Sequence, residues 1–312
     1  MGTAVFDRSP RTSSARPIVI TTDAAIMTLD PVTFALQNQF PPHRKLWTGR
    51  AALVGRIGDQ VIRADWYYAG SGTTKTAISA LGHEEQSLVV LAGNGSFFLL
   101  HDGRFAYVRY DDSYIRSNDL VLICGLVDST HRATLAVNHL RSIVPFGEHI
   151  AIAHISGVRL YEASSLRPIH SVMLADSSIL EERDGRLIVV HANSHKVSEL
   201  SADLGIRSTI TTERRVSSVA PLSGGRLVVS SQECDESRGE VALYDMPSQR
   251  IIWRSVVATS PGSLLEHGDV LLVGNGACGG DRSGFVYVLD IRSGRVVDRI
   301  KLPSSGVGEM LA

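Results

Sequence analysis

Three histidines have the residue type and spacing that could do chemistry. His154 and His191 each end a short apolar segment, and His195 follows His191 by four residues. Imidazole is a common metal ligand and a frequent general acid or base near neutral pH. A pair of histidines with nearby acids would suit a divalent metal, or acid and base catalysis in a lyase-type or lactonase-type reaction. The alternative is that each imidazole only makes local hydrogen bonds at the end of a strand.

Two other features could carry chemistry. The cysteines Cys124, Cys234 and Cys278 lack the spacing of a metal knuckle or a disulfide framework. Two of them, Cys234 and Cys278, fall in loops of successive repeats and could share a disulfide or a soft metal, or be incidental. Residues 69–76 resemble a phosphate-binding loop, but Ala and Thr stand where that motif requires glycine. An ordinary loop between strands is the better interpretation.

The elements that would position these residues are clearest in residues 260–300. An apolar segment, a turn at Gly268, the apolar run Val270–Val273, a Gly-rich loop, the run Phe285–Leu289 and the mixed segment Arg295–Ile300 follow one another. This order predicts four antiparallel strands, which we name a to d. Strand b is apolar throughout and should be buried on both faces, whereas strand d mixes charged and apolar residues and should be partly solvated.

The same unit recurs along the chain with a period of about forty residues, which indicates propeller blades because one blade cannot bury its own faces. The turn between strands a and b carries a glycine in five repeats: Gly103, Gly147, Gly185, Gly225 and Gly268. The turn between strands c and d carries an acid that we expect to accept backbone N–H bonds. Each acid is followed three residues later by Ser or Thr, in the pairs Asp30 and Thr33, Glu162 and Ser165, Asp245 and Ser248, and Asp290 and Ser293.

With this repeat the chain resembles the WD-repeat-like and quinoprotein-like superfamily of β-propellers. The resemblance implies an all-β fold, and the repeats predict a single seven-bladed propeller of four-stranded antiparallel blades, or six blades if residues 51–91 form only a partial one. The likeness is one of architecture: the Trp-Asp dipeptide is absent, Gly82-His83 lacks the WD repeat around it, and tryptophan-docking motifs are missing. No catalytic residue carries over, and propellers include scaffolds, lectins, lactonases and lyases.

The two ends of the chain are expected to meet. Residues 17–40 provide strands b, c and d without a strand a, and residues 305–312 resemble the start of a repeat. The C-terminal strand a should therefore join the N-terminal blade and close the ring, which removes open sheet edges. The predicted organisation is a disordered tail over residues 1–16 and one propeller domain over residues 17–312.

In a propeller the d–a and b–c loops share one face, called the top face here, where variable loops on a rigid scaffold bind ligands. We expect His154 and His191 to be neighbours there, at the mouth of the central channel, and they are the candidate ligands of a divalent metal. Residues 38–47 form a long d–a loop that could dock a partner or be plain surface. The candidate binding residues of the top face are Asp23, Trp66, Tyr67, Tyr110, Asp111, Asp112, His154, His191, His195, Asp235 and Asp281.

Composition excludes some classes of function. The 31 basic and 32 acidic residues give a net charge of −1, so no overall field would attract nucleic acid or an anionic membrane. No apolar run reaches membrane-spanning length. Cysteine usage and the lack of a secretory signal in residues 1–17 favour a cytoplasmic protein, although the Arg and Ser of that segment leave organellar import open. A monomer or a subunit of a hetero-complex is expected.

Two functions follow from these patterns. The first is an interaction scaffold whose top face holds a partner protein or peptide, favoured by the near-neutral charge and the lack of a catalytic motif. The second is a lyase-type or lactonase-type enzyme with a histidine, acid or metal site at the channel mouth. A sugar-binding propeller would require recurring aromatic residues, and only Tyr67 and Tyr110 recur. We favour the scaffold, and the sequence leaves enzymatic activity open.

Overall fold

The computed structural model is a β-propeller with four-stranded antiparallel blades, as predicted. Among the residues that it describes, no helix has the length and apolar character needed to cross a membrane. The described residues are 16–22, 25–40, 52–57, 59–68, 74–83, 87–92, 95–100, 104–109, 119–125, 131–137, 139–192, 195–232, 238–258, 261–275, 284–303 and 306–312.

Six blades are each formed from four strands that are consecutive in sequence and run from a to d. Residues 51–91, whose blade the sequence left uncertain, contain a complete one. The strands of the six blades are β4 Ala52–Ile57, β5 Gln60–Tyr68, β6 Thr74–Ala80 and β7 Ser87–Ala92; β8 Gly95–Leu99, β9 Arg104–Arg109, β10 Asp119–Gly125 and β11 His131–Val137; β12 Leu140–Phe146, β13 His149–His154, β14 Gly157–Glu162 and β15 Pro168–Met173; β16 Ser177–Arg183, β17 Arg186–His191, β18 Lys196–Leu200 and β19 Ile206–Thr211; β20 Val216–Pro221, β21 Arg226–Ser231, β22 Arg238–Asp245 and β23 Arg250–Ala258; and β24 Pro261–His267, β25 Val270–Asn275, β26 Phe285–Asp290 and β27 Val296–Lys301.

A further sheet combines strands from both ends of the described chain. Its order is β28 (Val307–Leu311), β1 (Ile18–Thr22), β2 (Ile26–Leu29) and β3 (Leu36–Phe40), and we call it the composite sheet. Strand β28 is antiparallel to β1. The structure has six blades of consecutive strands, where the sequence predicted seven, because the remaining strands come from two distant segments and form the composite sheet.

Burial is highest in the middle strands of a blade and lowest in the outer strand. Every residue of β17 is buried, whereas β15 and β27 are almost wholly exposed. The reason is that a middle strand is covered on both faces by the neighbouring blades, while a d strand lies at the rim. The a–b turns are tight: Gly185 and Gly268 have φ values of 70° and 59°, which favour glycine, and Gly103 lies outside the described residues.

The acids of the c–d turns have the predicted structural role. Asp30 Oδ1 accepts the backbone N–H groups of Val32 and Thr33 at 2.9 and 2.7 Å. Asp290 and Asp245 likewise accept backbone N–H bonds three residues on. The carboxylate of Glu162 accepts the hydroxyl of Ser165, just as Asp290 accepts that of Ser293. The backbone hydrogen bond from Thr33 is the main cause that lowers the pKa of Asp30.

Apolar clusters join neighbouring blades. Leu160 of the β12–β15 blade and Val189 of the β16–β19 blade belong to one such cluster, and Ile20 of the composite sheet packs with Leu272 of the last blade in another. The hydrophobic cores therefore lie between neighbouring blades, because the apolar faces of each blade are buried against the next one.

One interface between blades contains a buried ion pair. Val61 of β5 packs against Val19 and Ile26 of the composite sheet. Arg63 and Asp65 share the face of β5 that carries Val61, since side chains alternate along a strand. The Arg63 guanidinium donates to Asp65 Oδ1 at 2.7 Å, with the two side chains 0% and 2% exposed. A fully buried ion pair thus lies where the β4–β7 blade meets the composite sheet.

Candidate functional site

His154 ends β13 beside the turn to β14. Its ring is buried, and its Nδ1 lies 2.9 Å from the hydroxyl of Ser156. Burial, and secondarily the positive charge of Arg159, lowers the pKa of His154 below its ordinary value of 6.5. The side chain is therefore a neutral imidazole near pH 7.

His191 ends β17 and uses both ring nitrogens. Nδ1 lies 3.0 Å from the carbonyl oxygen of Ala175, and Nε2 lies 3.0 Å from Ser198 Oγ. A carbonyl can only accept, so Nδ1 carries the proton and Nε2 accepts from the hydroxyl. Ser198 Oγ is also 3.0 Å from Thr209 Oγ1, which extends the network to the outer strand. This arrangement matches the predicted alternative, in which the imidazole stabilises the end of a strand.

The strand ends that carry the two histidines both contact residues 174–176, which connect β15 of one blade to β16 of the next. The backbone N–H of Leu174 donates to Ser156 O, and that of Asp176 donates to Ile155 O, at 3.1 and 2.9 Å. His191 binds Ala175 in the same connection. The structure thus links both strand ends through residues 174–176.

His195 contributes through its backbone. Its carbonyl oxygen accepts the N–H and the hydroxyl of Thr212, at 2.8 and 3.0 Å. The residue has a φ of 52°, which holds the turn before β18. His195 therefore ties the b–c turn of its own blade to the connection that leads to the next blade.

The other predicted residues were assigned to b–c loops. Trp66 and Tyr67 instead lie within β5, opposite Thr76 and Lys75, because this strand continues to Tyr68. Within the described ranges, no group of three or more His, Cys, Asp or Glu could hold a metal ion. The loop of residues 69–73 lies outside the described residues, as do Cys234, Cys278, Asp23, Tyr110, Asp111, Asp112, Asp235 and Asp281.

A cavity of 490 Å³ opens on the top face beside these histidines. It lies between the beginnings of β12, β16 and β20 and the turns that follow β13, β17 and β21. We call it the top-face pocket and define it by Arg141, Ile155, Asp176, Ile179, Arg215 and Gln232.

The walls of the top-face pocket are held by backbone hydrogen bonds. Gln232 N donates to Arg215 O at 2.9 Å, and Ala192 N donates to Asp176 O at the same distance. The hydroxyls of Ser177 and Ser178 donate to carbonyl oxygens inside the walls. The pocket is therefore pre-formed, which lowers the entropic cost of binding.

Sequence analysis did not single out the pocket residues. The strand registers show that Ile155, Ala192 and Gln232 each follow the end of strand b in three successive blades. The same registers make Asp176 and Arg215 equivalent, each preceding strand a. The pocket residues could have been predicted from their positions in the repeat, just after strand b or just before strand a. Their residue types differ from blade to blade and form no motif.

A second cavity, also of 490 Å³, lies along the inner strands. Arg183, near the end of β16, forms an ion pair with Glu266 of β24 and donates to Pro221 O at 3.1 Å. One side chain thus connects three blades near the a–b turns. The top-face pocket lies at the opposite ends of these strands.

Comparison with known proteins supports the fold. No family model matches the chain, and no curated protein matches it. Solved structures do: apo AztD from Citrobacter koseri has a TM-score of 0.61 at 11% identity, covering 95% of this chain and 97% of that one. The computationally designed Ika8 protein has a TM-score of 0.64 at 10% identity, with 96% and 91% covered. Sqt1 of Saccharomyces cerevisiae has a TM-score of 0.60 at 15% identity, with 83% and 76% covered. At these identities the likeness establishes a β-propeller architecture and no specific family.

Proposed function

We propose that this protein is an interaction scaffold that binds a peptide segment of a partner protein in its top-face pocket. The observation that carries the proposal is the pocket itself, whose walls are held by backbone hydrogen bonds across three blades. A cavity with rigid walls and a few converging polar groups is the usual form of a binding site.

The chemistry of the pocket supports a peptide ligand. Ile155 is 43% exposed and offers an apolar contact. Charged and amide side chains surround it, and such a mixture suits an amphipathic chain. A rigid propeller supplies the scaffold on which loops can present these groups.

The histidine arrangement does not favour a second function. Both ring nitrogens of His191 have protein partners, and His154 Nδ1 is bonded to Ser156. The divalent metal at this pair stays a prediction that elemental analysis can test. The cytoplasmic location and the monomeric or hetero-complex state also stay predictions.

We also propose that the composite sheet acts as a seventh blade that closes the ring. The pairing of β28 with β1, and the packing of Ile20 against the last blade, support this role. Closure would cover the faces of the β4–β7 blade and the β24–β27 blade that no other consecutive blade covers, and would pair the open edge of β1.

The peptide hypothesis is tested by selecting binders from a random dodecapeptide library on the purified full chain. Ala192→Trp should block the pocket without changing charge, because Ala192 lines it and is only partly buried. Ala202→Trp, at an exposed position of the c–d turn of the same blade, is the matched control. We expect selected peptides to lose binding to Ala192→Trp and to retain it with Ala202→Trp. Peptides that bind both variants equally, or a selection that enriches none, would contradict the proposal.

A further inference from the structure

The top-face pocket carries three charged side chains, Arg141, Asp176 and Arg215. Arg141 and Arg215 are exposed, and neither guanidinium has a hydrogen bond or an ion pair with any other residue that the structure describes. Elsewhere in the described chain, arginines such as Arg183, Arg186 and Arg254 are paired with glutamates. The pocket therefore keeps two cations available for a ligand.

The charges alternate around the ring. Arg141 belongs to the β12–β15 blade, Asp176 precedes β16, and Arg215 precedes β20, so positive, negative and positive groups follow in blade order. A complementary ligand has acidic groups at its two ends and a hydrogen-bond donor between them. Arginine suits the acidic ends because its planar guanidinium can donate two parallel hydrogen bonds to a carboxylate.

The apolar and amide groups restrict the ligand further. Ile155 and Ile179 provide apolar surface in the same pocket, and Gln232 can both donate and accept. The hydroxyls of Ser177 and Ser178 do not compete for a ligand, because they already donate to Leu174 O and Val190 O at 2.8 and 3.0 Å. A peptide backbone with acidic and apolar side chains meets all of these groups, whereas a free inorganic anion would leave the isoleucines uncovered.

We infer that the partner segment is an acidic peptide in which two Asp or Glu side chains contact Arg141 and Arg215 and an apolar side chain contacts Ile155. This inference rests on the proposed function and adds the chemistry of its ligand. Opposite charges give such an interface its specificity and its association rate, and both depend on ionic strength.

The experiment is a charge swap combined with peptide selection. The random dodecapeptide library is selected on the full-length wild type, on the double variant Arg141→Glu and Arg215→Glu, and on a control with Arg207→Glu and Arg250→Glu. The control residues are exposed on outer strands and change the net charge equally. We expect acidic peptides from the wild type and the control, and basic peptides from the pocket variant.

Affinity gives a second readout. One peptide selected on the wild type is labelled and titrated by fluorescence anisotropy. We expect Arg141→Gln and Arg215→Gln each to weaken binding by about tenfold or more, since hydrogen bonds between charged groups are the strong ones. Thermal unfolding should be unchanged, because neither side chain has a partner among the described residues.

The outcomes separate this inference from the proposed function. Peptides that are lost with Ala192→Trp but show no acidic enrichment, or no reversal in the pocket variant, would overturn the acidic ligand and leave the peptide site standing. Peptides insensitive to Ala192→Trp would overturn the site as well. Binding of a labelled single-stranded oligonucleotide that is lost in the variant Arg141→Glu with Arg215→Glu, when no acidic peptide binds the wild type, would also contradict the inference.

Discussion

Val19 and Leu311 lie opposite each other in the antiparallel pair of β1 and β28, with Ile20 opposite Met310 beside them. The register shifts between Ile20 and Thr22, and Thr22 then pairs with Val307, which is 3% exposed. The edge of the N-terminal sheet is thus covered by the C-terminal strand. If this pairing closes the ring, its loss should affect the whole domain.

Removal of residues 306–312 should lower the free energy of unfolding by about 3 kcal/mol or more, because a buried valine and a row of strand hydrogen bonds are lost. Urea unfolding followed by circular dichroism measures the change. Val307→Asp should reproduce it, while Val297→Asp on the exposed outer strand should not. A synthetic peptide of residues 306–312 should restore part of the stability. Equal unfolding of the truncated and full chains would show that the ring does not depend on β28.

Because Arg63 and Asp65 form a buried ion pair, we expect the effects of substituting them on the free energy of unfolding to be non-additive. Asp65→Ala should destabilise the protein by about 3–5 kcal/mol, because it removes the carboxylate that accepts from a fully buried guanidinium. The double substitution Arg63→Met with Asp65→Leu should cost less, since no buried charge is left. Urea unfolding of Arg63→Met, of Asp65→Leu and of the double variant gives the coupling energy, with Asp65→Ala measured beside them. A double variant as unstable as the sum of the singles would contradict this account.

His191 should contribute stability through its two hydrogen bonds. His191→Ala should cost about 1–3 kcal/mol, because it removes the partner of the Ala175 carbonyl and one of the two partners of Ser198 Oγ. Ser198→Ala should cost less, and the two changes together should be less than additive.

Elemental analysis of the wild type and of His154→Ala with His191→Ala tests the metal hypothesis in the same preparations. About one equivalent of transition metal lost from the double variant would favour the enzyme alternative.

His154 predicts a pH dependence of stability. Burial lowers its pKa in the folded protein below the ordinary value of 6.5, so the unfolded chain binds more protons between the two pKa values. The contribution of the neutral imidazole is complete above pH 6.5 and is lost as the pH falls towards the folded pKa. His154→Gln should remove this part of the slope, as shown by urea unfolding from pH 7.5 to about pH 5. Arg159→Gln should reduce it slightly, because it removes the secondary cause. An unchanged slope in His154→Gln would place the proton uptake elsewhere.

Much of the architecture could be predicted because its signals are local. The acid of a c–d turn and the Ser or Thr three residues on, as in Asp290 and Ser293, make their hydrogen bonds within the turn itself. The apolar b strands, such as β17, show their burial in every residue. These features recur in several repeats, so one repeat supports the interpretation of the next.

The candidate site was harder to predict. The histidines were found by residue type, but only the structure shows that Ser198 and Ala175 occupy both nitrogens of His191. Trp66 and Tyr67 were counted among the b–c loop residues, but β5 continues to Tyr68 and includes them. The pocket residues Arg141 and Arg215 lie far apart in sequence and have no motif.

The sequence by itself therefore determined the repeat, its turns, the order of burial within a blade and the need for a strand from the C-terminal segment. The first three depend on contacts within about forty residues, whose chemistry is written in one repeat, and the last was evident because the first unit lacks a strand a. Only the tertiary structure decided which imidazole atoms have partners, where a buried ion pair lies, and which charged groups meet at the top-face pocket. Those relationships arise between blades, where residues distant in sequence are brought together by packing and no local pattern specifies their side-chain geometry.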